Sequence, residues 1–236
     1  MHLSAPLYRL KREARLLSRR DALPLHAALD RIALREGFRS WSLLARRACE
    51  RSPAARLYPR LSPGDMLLVG ARPGEGKTLL ALELGVEAMK AGHRACVFTL
   101  EYVEREVEAR LEQLGAQGAL KNLLALDCSD GICSARIVER LEGCAPGTLA
   151  VIDYLQILDQ RRDTPDLQTQ MRDLSAFARR SGAILAFVSQ IDRSYDPAKK
   201  PLPDLSDIRL PNPLDLRVFG KTCFLNAGEV RFAEAG

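Results

Sequence analysis

Histidine is nearly absent from this chain, three in 236 residues, and that scarcity removes most ways of building a tetrahedral metal centre. The six cysteines, Cys49, Cys96, Cys128, Cys133, Cys144 and Cys223, are scattered. None falls in a C-x-x-C pair, and Cys128 and Cys133 have no second pair to complete a site. They read as reduced, mostly buried thiols of a reducing compartment. No run of about 18 apolar residues exists, and Met1-His2-Leu3-Ser4-Ala5-Pro6 leads into basic residues without an apolar leader. No membrane partner is therefore expected, and the expected location is cytoplasmic. Internal repeats and low-complexity tracts are lacking too. What is present, 47% hydrophobic and 28% charged residues, suits a globular chain with a full core.

Charge is unevenly spread. Residues 1–60 hold 14 Lys and Arg against 5 Asp and Glu, a surplus of nine, while the rest holds 21 against 25, a deficit of four. The basic N-terminal quarter is thus a candidate for an acidic partner such as nucleic acid, or else a solvated helix surface. Apolar spacing predicts helices over 8–20, 25–36 (closing at Gly37) and 41–50. The segment from Pro24 to Arg47 resembles a pattern found at the ends of several bacterial proteins, an apolar helix followed by Gly-Phe-x-x-Trp-x-x-Leu. Trp41 reads as a core anchor in it. Three prolines between Pro53 and Pro63 read as a linker, which divides the chain into a basic helical segment, 1–56, and a second domain, 57–236.

In that second domain strands and helices alternate. Strands are predicted at 66–69, 95–100, 123–126, 149–152 and 184–189, and helices at 79–90, 104–114, 134–141 and 167–180. Apolar strands separated by amphipathic helices predict an α/β fold with a mostly parallel central sheet flanked by helices. Ligands of such sheets sit at the carboxyl ends of the strands.

The chemistry concentrates at those ends. Ala71-Arg72-Pro73-Gly74-Glu75-Gly76-Lys77-Thr78 follows an apolar strand and opens a helix, the setting of a phosphate-binding P-loop. Gly74 and Gly76 allow backbone amides to turn inward, Lys77 reaches the outer phosphates, and the Thr78 hydroxyl holds Mg²⁺. Ala71 occupies the place of the usual first glycine, with Gly70 one residue earlier. Leu149-Ala150-Val151-Ile152-Asp153 is an apolar run ending in a carboxylate suited to Mg²⁺. Glu101, just after a strand, is a candidate to deprotonate water. Gln190, at the end of another strand, can hydrogen-bond a terminal phosphate.

Taken together, "LSPGDMLLVGARPGEGKTLLALEL", "VFTLEY", "LAVIDYLQIL" and "FVSQIDRS" resemble the ATPase domain of the DnaB-type replicative helicases, within the RecA-like P-loop superfamily. The resemblance covers about residues 57 to 210. It implies ATP and Mg²⁺ at Lys77 and Thr78, Glu101 as the water-activating base, Asp153 as the Walker B carboxylate and Gln190 as phosphate sensor. It also implies single-stranded DNA near Arg193 and the following loop, where Lys199 and Lys200 add charge and Tyr195 a ring, and assembly as a homo-oligomeric ring. A KaiC- or RadA-like ATPase shares the core but fits the Ile-Asp-Tyr-Leu-Gln and Ser-Gln segments less well.

Two departures from the family stand out. A segment of about 56 residues replaces the separate N-terminal domain and linker helix. The family's terminal hairpin carries a Lys-x-Arg pair that reaches a neighbour's ATP as an arginine finger; here Lys221-Thr222-Cys223-Phe224-Leu225-Asn226 either puts Cys223 at the finger position or stops before that hairpin. The expected function is a DnaB-like helicase or helicase-derived ATPase. The alternative is an ATP-dependent switch or regulatory module without unwinding activity.

Overall fold

A computed structural model describes residues 3–5, 7–50, 52–160, 163–210 and 212–234. The chain divides into two units, Met1–Arg56 and Leu57–Gly236.

The first unit holds the helices α1 (Leu7–Arg20), α2 (Leu25–Arg35) and α3 (Trp41–Glu50). Each has one apolar stripe, and the stripes meet in a small core of Leu10, Ala14, Ala28, Ile32, Ala33 and Leu44, with Trp41 and Phe38 packed against it. Gly37 takes a left-handed conformation (φ 83°) just beyond α2, where a glycine ends a helix at least cost. The Asp30 carboxylate accepts a hydrogen bond from the Trp41 N–H at 2.8 Å, which anchors the start of α3.

The proline-rich stretch is not an extended linker. Residues Pro53–Leu57 form a short helix, α4, followed by a 3-10 turn at Tyr58–Arg60. Proline at a first helical position sacrifices no hydrogen bond. Ser52 completes the start by accepting from the Ala55 N–H at 3.1 Å.

The second unit is built on a seven-stranded sheet: β1 (Met66–Ala71), β2 (Ala95–Thr99), β3 (Leu124–Asp127), β4 (Leu149–Asp153), β5 (Ile184–Gln190), β6 (Lys221–Asn226) and β7 (Glu229–Glu234). Their spatial order is β3-β2-β4-β5-β1-β6-β7. Every pairing is parallel except the β6–β7 hairpin. Strands β1, β2 and β4 are buried at every position, as expected for parallel strands covered on both faces. Helices α5 (Lys77–Lys90), α6 (Glu104–Gln113), α7 (Ser134–Leu141) and α8 (Leu167–Ser181) complete this α/β unit. Helix α5 is apolar nearly all round; at Gly85 a Cβ would stand 3.6 Å from that of Ala95, so helix and sheet lie close.

Close approach also explains Gly70. A Cβ there would stand 2.7 Å from the Phe224 ring and 3.0 Å from Ile208 Cδ1. Phe224, on the neighbouring strand β6, is 3% exposed, so its ring has little room to retreat. Gly70→Ala is therefore expected to destabilise the protein by about 1–3 kcal/mol, read as a fall of several degrees in the thermal unfolding midpoint; an unchanged midpoint would contradict this packing.

Candidate functional site

The parallel register aligns the carboxyl ends of four strands. Thr99 of β2 pairs with Asp153 of β4, Asp153 with Val188 of β5, and Gln190 of β5 with Ala71 of β1. One sheet edge thus carries the sequence-predicted residues Ala71, Asp153 and Gln190, with Glu101 two positions beyond Thr99.

The loop after β1 is shaped by Gly74 (φ 84°) and Gly76 (φ 90°). No atom beyond the chain neighbours lies within 4 Å of where a Cβ would stand at either glycine, so both face open space. Gly76 caps α5 without any side-chain hydrogen bond to the helix amides. A helix N-terminus whose amides lack partners attracts anions. Lys77 is buried and forms no ion pair among the described residues, and Thr78 beside it is half-buried. Arg72 and Pro73 are exposed. Glu75 turns its side chain away from the loop: its Oε2 accepts from the Ala227 N–H at 2.8 Å. Of Glu75, only the backbone remains for a ligand in the loop.

Asp153 is 1% exposed, and neither carboxylate oxygen has a hydrogen-bond partner. Burial, reinforced by the negative charge of Glu101, pushes its pKa up to about 6. Opposing this are the Thr78 hydroxyl, which approaches the carboxylate without completing a hydrogen bond of normal geometry, and the charges of Lys77 and Arg110. Glu101 is exposed. Its backbone N–H donates to Thr99 Oγ1 at 3.1 Å, which fixes the start of the segment leaving β2.

Three contributors escape sequence reading. Thr99, 1% exposed, looks like any strand threonine. Arg110 lies on α6 and stacks on the Tyr102 ring at 4.2 Å; nothing in the periodicity of α6 marks it. Gln156 donates through Nε2 to Ser189 Oγ at 3.2 Å and to the Arg209 carbonyl at 2.6 Å. Because the Arg209 N–H donates to the Gln190 carbonyl at 2.9 Å, Gln156 ties the segment after β4 to the end of β5. Its place in Ile-Asp-Tyr-Leu-Gln was the available signal.

The loop after β5 is internally satisfied. Tyr195 is 6% exposed, and its hydroxyl donates to the Lys200 carbonyl at 2.7 Å, so the ring is not offered for stacking. Lys200 lies 2.7 Å from Asp204 and 2.5 Å from Asp207; its hydrogen bond, with that of Ser206, holds the Asp204 carboxyl down to about 2. Arg193 and Lys199 remain exposed, Lys199 3.9 Å from Asp196.

Under both alternatives read from the sequence the tail lacks an arginine finger, and its described residues offer none. The chain does form a hairpin, β6–β7, and Cys223 is fully buried within it. Burial between sheet neighbours rules Cys223 out as a group reaching another subunit. The turn Asn226-Ala227-Gly228-Glu229 carries no cation. Among the nearby described cations, Arg231 donates to the Pro203 carbonyl at 2.8 Å, and Lys221 pairs with Asp65 at 2.8 Å.

No family model matches the chain. It is similar to the replicative DNA helicase DnaB of Geobacillus stearothermophilus, 28% identical over 187 residues, covering 65% of this chain and 41% of the relative. A second relative is the DnaB of Leifsonia xyli, 26% identical over 181 residues, 63% of this chain and 40% of the relative. The DNA repair protein RadA of Brucella abortus is 26% identical over 136 residues, 55% and 29% of the two chains. The chain thus spans less than half the length of these relatives. Among solved structures, a DnaB-like replicative helicase described with its primase interactions superposes with a TM-score of 0.56 at 19% identity, covering 69% of this chain and 47% of that one. The resemblance read from the motifs, to a DnaB-type helicase ATPase domain, therefore holds in sequence and in fold.

The strained carboxylate has a measurable consequence. A pKa raised from the usual value near 4 to about 6 means that the folded ligand-free protein holds this proton more tightly than the unfolded chain. The resulting stability is present below about pH 4 and lost as pH rises through about 6. Asp153→Asn, neutral at every pH, is expected to gain on the order of 1–3 kcal/mol over the parent at pH 8 and little at pH 4. Half-buried Glu83 on α5, raised to about 7 by burial and by Glu87, contributes in the same direction to both proteins and cancels in the comparison. Thermal unfolding of the pair across this range checks it; a constant difference would refute the assignment.

Proposed function

We propose that this chain is an ATP-dependent, DnaB-like ATPase that binds and hydrolyses ATP with Mg²⁺, contacts single-stranded DNA, and acts as a DNA helicase or a helicase-derived factor. The observation that carries this reading is the Asp153 carboxylate, buried with both oxygens unsatisfied beside Lys77 and Thr78. Burying an anion without donors is costly, and a hydrated cation beside it removes that cost. Asp153 and Thr78 fit this role, since Mg²⁺ is commonly held by one or two carboxylates together with substrate phosphates. When bound, Mg²⁺ neutralises charge on the transferring phosphates.

The chain's own groups supply the rest. Backbone amides from Gly74 to Thr78 cradle the phosphates, and the buried Lys77 ammonium meets the outer ones with its charge undiluted by water. Glu101 Oε accepts the proton of the attacking water; its exposure gives water access, and the Thr99 hydroxyl sets where its backbone begins. Gln190 donates to the terminal phosphate and links its presence, through Arg209 and Gln156, to the loop bearing Arg193 and Lys199. Those two cations are the DNA contacts of the ATPase unit, and Lys200 is part of the loop's frame. RecA-like ATPases act as rings or filaments with ATP between subunits, which makes a homo-oligomer the working form.

The cation-free turn at Asn226–Glu229 favours a second reading, an ATP-driven switch that lacks unwinding. An arginine finger is worth about 10³–10⁵ in rate where it operates.

Lys77→Ala is expected to abolish ATP binding. Glu101→Gln is expected to retain binding while turnover falls about 10²–10⁴-fold, with single-stranded DNA stimulating the parent. Full turnover in both variants would remove these roles. Mass measurement with ATP and DNA separates motor from switch: a hexamer supports the first, a persistent monomer the second.

A further inference from the structure

Part of the basic surplus of the N-terminal unit lies on one helix face. Four carboxylates are described there, and each is engaged. Glu13 accepts from Arg35 at 2.8 Å. Asp21 lies 2.7 Å from Arg20 and 3.2 Å from Arg31. Glu36 accepts from the Ser4 N–H at 2.8 Å and from Arg35 at 3.3 Å, and Asp30 accepts from Trp41. Among the described residues none is left for Arg12, Arg15 and Arg19, which are exposed and form no ion pair there. Three and four residues apart on α1, they form a single stripe about 10 Å long at 1.5 Å per residue.

The opposite face of α1 is fixed. Leu10 and Ala14 are fully buried in the unit's core, and Leu17 packs against it. The arginines therefore cannot rotate inward without dismantling the unit. At the stripe's flank, Lys11 is half-buried, and its pKa is lowered by burial and by repulsion from Arg15. Like charges crowded without counter-charge favour binding of an external anion. Only Leu16, 58% exposed, interrupts the cationic face; a membrane-lying helix needs a continuous apolar face, and that of α1 is already occupied.

We propose that Arg12, Arg15 and Arg19 on α1 form a phosphate-backbone binding surface for nucleic acid, separate from the nucleotide site and independent of ATP. The choice of nucleic acid among polyanions rests in part on the ATPase reading above. Contacts to phosphate give affinity without sequence preference, so the surface holds the strand while the ATPase unit acts on it.

The test uses the full chain and fluorescence anisotropy with a labelled oligothymidylate at several salt concentrations, without nucleotide. Arg12→Ala, Arg15→Ala and Arg19→Ala combined, checked by circular dichroism, are expected to weaken binding at least about tenfold at low salt, and to lower the salt slope by roughly 2, at about 0.7 per phosphate contact. Lysine at the same three positions is expected to restore most of the affinity, because it too meets phosphate as a positive charge. Unchanged affinity and slope in the alanine variant would overturn the proposal. So would intact oligonucleotide binding with loss of binding to phosphatidylserine vesicles, which would make the surface a membrane contact. Parallel ATPase assays keep the two readings apart: DNA binding lost in the alanine variant, in a chain without turnover, supports the arginine surface while refuting the ATPase.

Discussion

Asp153 stands buried at the end of β4 with neither carboxylate oxygen in a completed hydrogen bond, and the groups around it decide how that charge is borne. Glu101 adds negative charge to it; Lys77, Thr78 and Arg110 oppose that charge without satisfying the oxygens. A protein interior tolerates such an anion only at a cost. The surrounding strands must be rigid enough to hold it, and they are: β4 is buried at every position and paired on both sides. Binding chemistry thus draws on stability stored in the sheet.

The P-loop is held from two directions. On one side Ala71 accepts from the Ile191 N–H at 3.1 Å, which joins the loop's origin to the end of β5. On the other, Glu75 reaches the backbone of the β6–β7 turn, where Ala227 takes a left-handed conformation (φ 50°) that alanine seldom adopts. The hairpin therefore braces the glycine-rich loop of its own chain. In place of a cation, its turn offers an amide that the loop itself uses.

Much of this was legible in the sequence. The alternation of apolar strands and amphipathic helices located every strand from β1 to β5 to within two residues, because strands buried on both faces must be apolar throughout. Asp153 and Gln190 ended their apolar runs and so declared their place at a strand end. Other features could not be read. The hairpin β6–β7 was missed because β7 is an edge strand with mostly exposed residues, whose pattern differs little from that of a polar tail. The short helix Pro53–Leu57 was not read from the prolines of 53–63, because proline's meaning depends on whether it falls at the first turn of a helix or later. Tyr195 and Lys200 looked available to a ligand, and only the folded loop shows them turned upon each other.

What the sequence determined by itself was the kind of chemistry: a glycine-rich loop, a lysine, a hydroxyl and strand-end carboxylates, each with its spacing set by local geometry. The charge surplus of the first 60 residues was equally plain. What only the tertiary structure decided was which of these groups are free. Glu75 and Lys200 are committed to other parts of the chain, Cys223 is enclosed, and Arg12, Arg15 and Arg19 have no ion-pair partner among the described residues. The division follows from the range of the forces involved. Backbone preference and apolar periodicity act over a few neighbouring residues, whereas pairing and burial join groups far apart in sequence, 152 positions between Glu75 and Ala227 and 174 between Arg60 and Glu234.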